Sequence, residues 1–175
     1  MRTRRIVLAA MFIALGMLLP FLTGQIPGIG SRLLPMHLPV LICGFVCGWK
    51  YGLAVGFILP IFRSFTFGMP PFPTTAVPMA FELAAYGMMT GLLYSLLPKK
   101  TGSIYIALLS SMLAGRAVWG AVRFIMLLAG TKFSWALFIS GAFINAVPGM
   151  ILQVILVPLV VIALQKARFA AEERR

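Results

Sequence analysis

The sequence predicts an all-α integral membrane protein with six transmembrane helices and both termini in the cytoplasm. Its composition is the first reason, because 61% of the 175 residues are hydrophobic and only 10% are charged, whereas soluble domains are nearer half apolar and a quarter charged. The second is that a spanning helix takes about 20 apolar residues, and the apolar residues form six runs. The third is the distribution of positive charge. A single domain over residues 1–175 is expected, with a short basic N-terminus and a polar C-terminal tail.

The apolar runs are separated by segments that break helices. The first run follows three arginines and is expected to be a retained span, since no small-residue cleavage site follows it. Gly and Pro dominate 23–35, which is expected to be a loop, and three prolines exclude a helix over 68–73. The turn Gly48-Trp49-Lys50-Tyr51-Gly52 divides the second run from the third. The predicted spans are 6–22, 37–48, 52–67, 76–97, 103–129 and 137–166.

Positive charge distinguishes the two sides of this arrangement. With six spans and a cytoplasmic N-terminus, the outer loops hold only Arg32 and Lys132, and ten basic residues lie inside. Cytoplasmic loops carry such an excess of Lys and Arg, so the chain is placed in the cell membrane in this orientation. The inner set is Arg2, Arg4, Arg5, Lys50, Lys99, Lys100, Lys166, Arg168, Arg174 and Arg175.

Composition also excludes several functions. The 15 Lys and Arg against 3 Asp and Glu give a net charge of +12, but these cations flank apolar runs, so membrane lipid explains them better than nucleic acid. The chain has no Asp, one His and two Cys. No metal site, disulfide framework or catalytic acid–base pair is expected from that set, and the chain is predicted not to be an enzyme.

Four ionisable residues fall inside predicted spans: Arg63, Glu82, Arg116 and Arg123. Charges within the bilayer are costly, so each is expected to face the protein interior or a hydrated cavity. Counting from the predicted span ends at about 1.5 Å per residue places Arg63, Glu82 and Arg123 roughly 6–10 Å below the outer surface. On the same count Arg116 lies about two turns deeper.

These residues suggest an outward-open pocket for a small organic anion. Three arginines and one glutamate leave an excess of positive charge, which is unfavourable unless water or an anion compensates it. Arg63 and Arg123 are the predicted carboxylate partners, because a guanidinium binds a carboxylate bidentately. Glu82 would pair with one of them or accept a ligand N–H or hydroxyl; a purely structural pair is the alternative. The other candidate substrate-binding residues are Tyr86, Trp119, Asn145, Gln153 and His37, although His37 alone is more typical of an interfacial hydrogen-bonding residue.

Small residues recur at helical spacing in two places. Gly44, Gly48, Gly52 and Gly56 favour close packing between helices within the protein. In the first span, Ala10-x-x-x-Ala14 is available either for internal packing or for docking a separate subunit.

Several of these segments together resemble the substrate-binding (S) component of energy-coupling factor (ECF) vitamin transporters, over essentially the whole chain. The segments 63–71 and 79–87 are similar to the branch that includes pantothenate-type S components. The resemblance is carried by the basic start, the Ala10-x-x-x-Ala14 stripe, the long first loop, Leu38-Pro39-Val40, the turn over 48–56, Arg63-Ser64-Phe65-Thr66-Phe67-Gly68-Met69-Pro70-Pro71 and Met79-Ala80-Phe81-Glu82-Leu83-Ala84-Ala85-Tyr86-Gly87.

The resemblance implies a six-helix protein that captures a vitamin from outside. It implies docking through span one, here Ala10 and Ala14, on a transmembrane coupling protein driven by two cytoplasmic ATPase subunits. The chain has no phosphate-binding Gly-rich loop with Lys-Ser/Thr, so ATP would be hydrolysed by those partners and no cofactor is expected here.

Two other classes of function remain open. A small oligomeric secondary carrier or channel for an organic anion is possible, in which Glu82 would be the carboxylate for proton coupling. An intramembrane enzyme is disfavoured because no catalytic pair can be assembled. Among substrates, the charge balance favours anions such as pantothenate over cationic thiamine, and niacin, biotin, lipoate and folate are also anions. Neutral pyridoxine or a pyrimidine is compatible with an internal Arg63–Glu82 or Arg123–Glu82 pair.

Overall fold

The computed structural model describes residues 2–24, 33–128 and 146–173, and within these ranges all regular structure is helical. The all-helical class is therefore confirmed. Helices α1, α4, α5 and α6 are long and apolar enough to cross a membrane; the span count of six and the cytoplasmic termini remain predictions. The helices are α1 (Arg2–Gly24), α2 (His37–Cys47), α3 (Trp49–Phe67), α4 (Ala76–Leu96), α5 (Thr101–Leu128) and α6 (Val147–Glu173).

Two helix boundaries differ from the sequence expectation. The break between α2 and α3 is confined to Gly48, which has a φ of 92°, so the residues from Trp49 to Gly52 belong to α3 and not to a five-residue turn. Helix α6 continues past Lys166 to Glu173, because this segment consists mostly of alanine, arginine and glutamate, which favour helix. Parts of the predicted first loop (25–32) and of the sixth span (137–145) lie outside the described residues.

Glycines bring α2 and α3 against α4. A Cβ at Gly44 would lie 2.6 Å from the carbonyl oxygen of Gly87, and one at Gly52 would lie 2.7 Å from the Gly87 carbonyl carbon. A Cβ at Gly56 would lie 2.7 Å from the backbone nitrogen of Ala84. These distances are far below van der Waals contact, so only glycine permits the observed separation. The predicted internal packing is confirmed for these three glycines, whereas Gly48 ends α2.

Helix α1 lies at the edge of the bundle. It packs through Ala9 and Phe12, which are buried, and through Gly16, which touches Leu59 of α3. Its opposite face is exposed and includes large apolar side chains such as Leu22, which is 71% exposed. A face of this kind is typical of a surface that contacts lipid or another protein rather than water.

Helices that follow one another in the chain run in opposite directions, which assigns every helix end to one of two sides. The Gly52–Gly87 and Gly56–Leu83 contacts pair α3 and α4 in opposite directions. Arg63 near the end of α3 reaches Met17 near the end of α1. We call the side with the first residues of α2, α4 and α6 the outer end, since the charge distribution predicts it to be extracellular, and the opposite side the inner end.

Candidate functional site

Below the candidate site lies an apolar layer built from four helices. Leu41 of α2, Tyr86 of α4, Met112 of α5 and Val157 of α6 belong to one buried hydrophobic cluster. One helical turn from each of them, toward the outer end, lie four residues that we group as a second level. Direct contacts join three of these residues, since Glu82 contacts both His37 and Arg116; Gln153 is grouped with them by its position in α6.

That second level is polar. His37, Glu82 and Gln153 each precede their apolar partner by four residues, and Arg116 follows Met112 by four. Because α5 runs opposite to α2, α4 and α6, all four steps lead toward the outer end. Each of the four residues is at most 7% exposed. We refer to His37, Glu82, Arg116 and Gln153 as the polar layer.

Glu82 is at the centre of the contacts within the polar layer. Its Oε1 lies 2.9 Å from Nη1 of Arg116, accepts a hydrogen bond of 3.1 Å from the Tyr86 hydroxyl and lies 3.7 Å from Nε2 of His37. The sequence left open whether Glu82 pairs with Arg63 or Arg123. Its partner is instead Arg116, for which the sequence assigned no role.

A glycine next to Arg116 makes this arrangement possible. A Cβ at Gly115 would overlap the ring of Tyr86, whose Cζ atom it would approach to 3.0 Å. The ring therefore packs directly against the backbone of α5 at Gly115, and its hydroxyl reaches Glu82 beside the arginine. The sequence signal for this contact was the pair Gly115-Arg116 within an apolar run. This pair was not used in the sequence-based prediction, because small residues were considered only in α1, α2 and α3.

Several polar atoms of this region have no hydrogen-bond partner among the described residues. They are both ring nitrogens of His37, Nε and Nη2 of Arg116, both amide atoms of Gln153, and Nε of Arg123. Buried polar groups are normally paired, and an unpaired one is destabilising by about 1–3 kcal/mol. Such atoms at the polar layer, and on its outer side at Arg123, indicate a site that a polar ligand or water completes.

Arg63 lies apart from these contacts. Its Nη1 donates a hydrogen bond to the carbonyl of Met17, and its guanidinium carbon lies 4.8 Å from the ring centre of Phe21 and 5.3 Å from that of Phe67. These are cation–π distances. The structure thus places Arg63 between α1 and α3, where it joins the two helices.

Arg123 and Trp119 lie further toward the outer end of α5. The Arg123 guanidinium carbon is 5.2 Å from the centre of the Trp119 ring, which is a cation–π distance. Arg123 is seven residues after Arg116, close to two helical turns, so both project from nearly the same face of α5. Asn145 lies outside the described residues. Among the described residues, no three His, Cys, Asp or Glu side chains gather in a way that would hold a metal ion.

A helical membrane protein with a buried, incompletely paired polar layer belongs to the class of membrane proteins that bind a polar ligand between their helices. A family model for the substrate-specific component of ECF transporters matches residues 4–161, and the chain belongs to this family. The family consists of substrate-binding transporter subunits, not enzymes, that work with an ECF module of transmembrane and ATPase subunits. No curated protein and no solved structure shows significant similarity to the chain.

Proposed function

We propose that this S component captures a small anionic B-vitamin, such as pantothenate, from the extracellular side of the plasma membrane and passes it to an ATP-driven ECF module. The observation that carries the proposal is the set of unpaired atoms at the polar layer. It supplies hydrogen-bonding groups within a buried site, which is the usual composition of a small-molecule pocket.

The unpaired atoms favour a ligand that is rich in acceptor oxygens. Arg116 and Arg123 contribute donors only, whereas Gln153 contributes a donor group and an acceptor, and neutral His37 one of each. Donors therefore outnumber acceptors. Carboxylate, carbonyl and hydroxyl oxygens are the complementary groups, and pantothenate carries all three.

Charge then suggests the orientation of the ligand. Glu82 and Arg116 neutralise each other at 2.9 Å, which leaves Arg123 as the cation with an unpaired Nε near the pocket. Arg123 lies seven residues beyond Arg116, about 10 Å along α5 at 1.5 Å per residue. A ligand of that length would place its carboxylate at Arg123 and its amide or hydroxyl groups at the polar layer. Arg63, the second carboxylate partner in the sequence-based expectation, is replaced in this proposal by the polar layer.

The contacts of Glu82 favour a binding subunit over a proton-coupled carrier. Such a carrier needs an intramembrane carboxylate that is free to gain and lose a proton during transport. Glu82 is engaged by Arg116 and by the hydroxyl of Tyr86, so it holds the site together. Uptake into proteoliposomes distinguishes the two functions: dependence on ATP and the ECF module supports an S component, and uptake driven by a proton gradient alone supports a carrier.

Arg123→Ala is expected to weaken pantothenate binding by at least about 30-fold while leaving the protein folded. Truncating one partner of a buried charge pair costs about 2–5 kcal/mol. Isothermal titration calorimetry on the purified protein measures the effect, and mass spectrometry of co-purifying small molecules identifies the natural ligand. Lys50→Ala is the matched control, because it removes a cation at the inner end.

A second ligand makes this test specific to the carboxylate. The alcohol analogue of pantothenate, which has CH2OH in place of the carboxylate, should bind the unaltered protein weakly. It should bind the Arg123→Ala variant about as well as the acid does. If Arg123→Ala binds pantothenate normally, or if the preference for the acid persists in the variant, the assignment of Arg123 is wrong.

We also propose that Ala10 and Ala14 dock the transmembrane coupling protein. Both lie on the exposed face of α1, where small side chains let another helix approach closely. Burial of neighbouring Ala9 and Phe12 against the bundle leaves this face of α1 free for a partner.

Ala14→Leu is therefore expected to leave vitamin binding within about twofold and to reduce ATP-driven uptake by at least tenfold, because the larger side chain prevents close helix approach. Uptake of labelled vitamin by proteoliposomes containing the whole ECF complex is the measurement. Ala117→Leu makes the same change at an exposed position of α5 and should retain uptake. Normal uptake by Ala14→Leu would show that this face of α1 does not dock the partner.

A further inference from the structure

A cavity lies at the inner end of the bundle, away from the polar layer. It is a cleft of about 710 Å³ between α1, the α2–α3 junction, α4 and α6. Its position follows from the chain, since Gly48 is eleven residues beyond His37 and Gln165 is twelve beyond Gln153, or roughly 17 Å along the helices. The cleft is therefore separate from the proposed vitamin site.

The charged residues that line this cleft are both cations. Arg5 of α1 and Lys99 after α4 contribute to its walls, and no carboxylate does so among the described residues. Nζ of Lys99 donates to the carbonyl of Tyr94 and lies 3.9 Å from the centre of its ring. Because an ammonium group has three donors, this contact positions the lysine and leaves donors for an anion.

Neutral hydrogen-bonding groups accompany the two cations. Nε2 of Gln165 donates to the hydroxyl of Tyr94. Since the hydroxyl is the acceptor in this bond, its own proton remains available to an oxygen within the cleft. The walls thus offer charged donors from α1 and from the segment after α4, together with an ordered hydroxyl, a combination that suits the oxygens of a phosphate group.

The remaining wall is apolar. Val46, Trp49 and Leu164 line the cleft and are 37%, 40% and 45% exposed. A free phosphate ion would leave these side chains without a partner. A phospholipid would cover them with its acyl chains, and tryptophan is typical of the boundary between headgroups and hydrocarbon. Basic pockets between helices on the cytoplasmic side are suited to anionic lipid headgroups.

We infer that this inner cleft is a binding site for an anionic phospholipid, whose phosphate is held by Arg5, Lys99 and Tyr94 and whose acyl chains lie along Val46, Trp49 and Leu164. The site is independent of the vitamin. A lipid bound in this cleft would contact the inner end of α1 and the ends of α4 and α6 at the same time.

Native mass spectrometry of the full-length protein, titrated with phosphatidylglycerol or phosphatidylcholine, tests this inference. Phosphatidylglycerol should be retained in preference to phosphatidylcholine. Arg5→Gln with Lys99→Gln should weaken its binding by roughly 30-fold, from the attraction of two cations to an anionic lipid. The charge-preserving pair Arg5→Lys and Lys99→Arg should retain binding. Lys100→Gln with Lys166→Gln removes two exposed cations that do not line the cleft and should change binding by less than about threefold.

Trp49 provides a second measurement that needs no charge variant. Vesicles containing phosphatidylglycerol should change the fluorescence of the unaltered protein, and Trp49→Phe should remove that change. Several outcomes would overturn the inference: equal retention of the two lipids, equal losses in both double Gln variants, or displacement of the lipid by inorganic phosphate at the same concentration. It is also overturned if Arg5→Gln with Lys99→Gln keeps the lipid but no longer co-purifies with the ECF module, because the cleft is then a protein interface.

Discussion

Glu82→Gln is expected to lower the free energy of unfolding by about 3–5 kcal/mol, because it leaves the Arg116 guanidinium buried without a counter-charge. The change preserves the shape of the side chain, and the amide oxygen can still accept the hydrogen bond of Tyr86. The decrease in the free energy of unfolding therefore measures the effect of the Glu82 charge, which lies 2.9 Å from Arg116. Arg116→Met should be destabilising to a similar degree, since it leaves the carboxylate alone.

The double variant makes this prediction specific. With Glu82→Gln and Arg116→Met together, neither charge remains, so the combined loss should be smaller than the sum of the single losses by at least about 2 kcal/mol. Unfolding in detergent mixtures, followed by helicity, measures all three variants. Strictly additive losses would mean that the two side chains do not form a pair.

Gln153→Leu is the matched comparison within the same layer. Both amide atoms of Gln153 are buried without a partner among the described residues, so an apolar side chain of similar size should be neutral or stabilising for the fold. The same change should weaken vitamin binding. A Gln153→Leu variant that is as stable as the unaltered protein or more stable, but binds the vitamin more weakly, would show that Gln153 serves binding rather than folding.

The helices were largely predictable from the sequence, because apolar runs and glycine or proline breaks mark them directly. The close packing of the glycines of α2 and α3 within the protein was also predictable, since small residues four positions apart let helices approach closely in lipid; that α4 is their partner was not. The single-residue break at Gly48 was not. The length of the turn depends on where the glycines of α3 contact α4. That contact joins residues far apart in the sequence, so the local pattern does not reveal it.

Depth within the bundle was predicted less well, and the reason is geometric. Counting from span ends placed Arg116 two turns deeper than Glu82, which assumes that all helices end at the same level. Beyond the polar layer α5 continues for twelve residues and α4 for six, so the two residues are level. The end of α5 beyond Arg116 is largely exposed or half-buried, as expected for a helix that extends past its neighbours.

The partner of each arginine depended on helix rotation. Arg63 and Arg123 were grouped with Glu82 because all three were charged and of similar predicted depth. Arg63 turns instead toward α1, where a carbonyl and two aromatic rings surround its guanidinium. Glu82 and Arg116 were predicted correctly to face the protein interior, since both are buried. Which arginine pairs with Glu82 is determined by how the helices pack.

Gly87→Ala is expected to be the most disruptive of the small changes in the bundle, with a loss of at least about 3 kcal/mol. Gly87 of α4 faces Gly52 of α3, and an added Cβ would lie 2.8 Å from the Gly52 Cα and closer still to its carbonyl. Backbone cannot rotate away as a side chain can, so the two helices would have to separate. Overpacking costs about 1–3 kcal/mol where neighbours can adjust, and more where they cannot.

Two glycines provide the comparison for this prediction. At Gly102 in the first turn of α5, an added Cβ would meet nothing within 4 Å, so Gly102→Ala should be neutral or stabilising by up to about 1 kcal/mol through helix propensity. At Gly16 the atoms nearest to the new Cβ all belong to the side chain of Leu59, which can change rotamer, so an intermediate loss is expected. Unfolding midpoints in detergent should therefore follow the order Gly102→Ala, Gly16→Ala, Gly87→Ala from most to least stable. If Gly87→Ala unfolds no more easily than Gly16→Ala, the direct backbone contact between α3 and α4 is not what holds these helices at their observed separation.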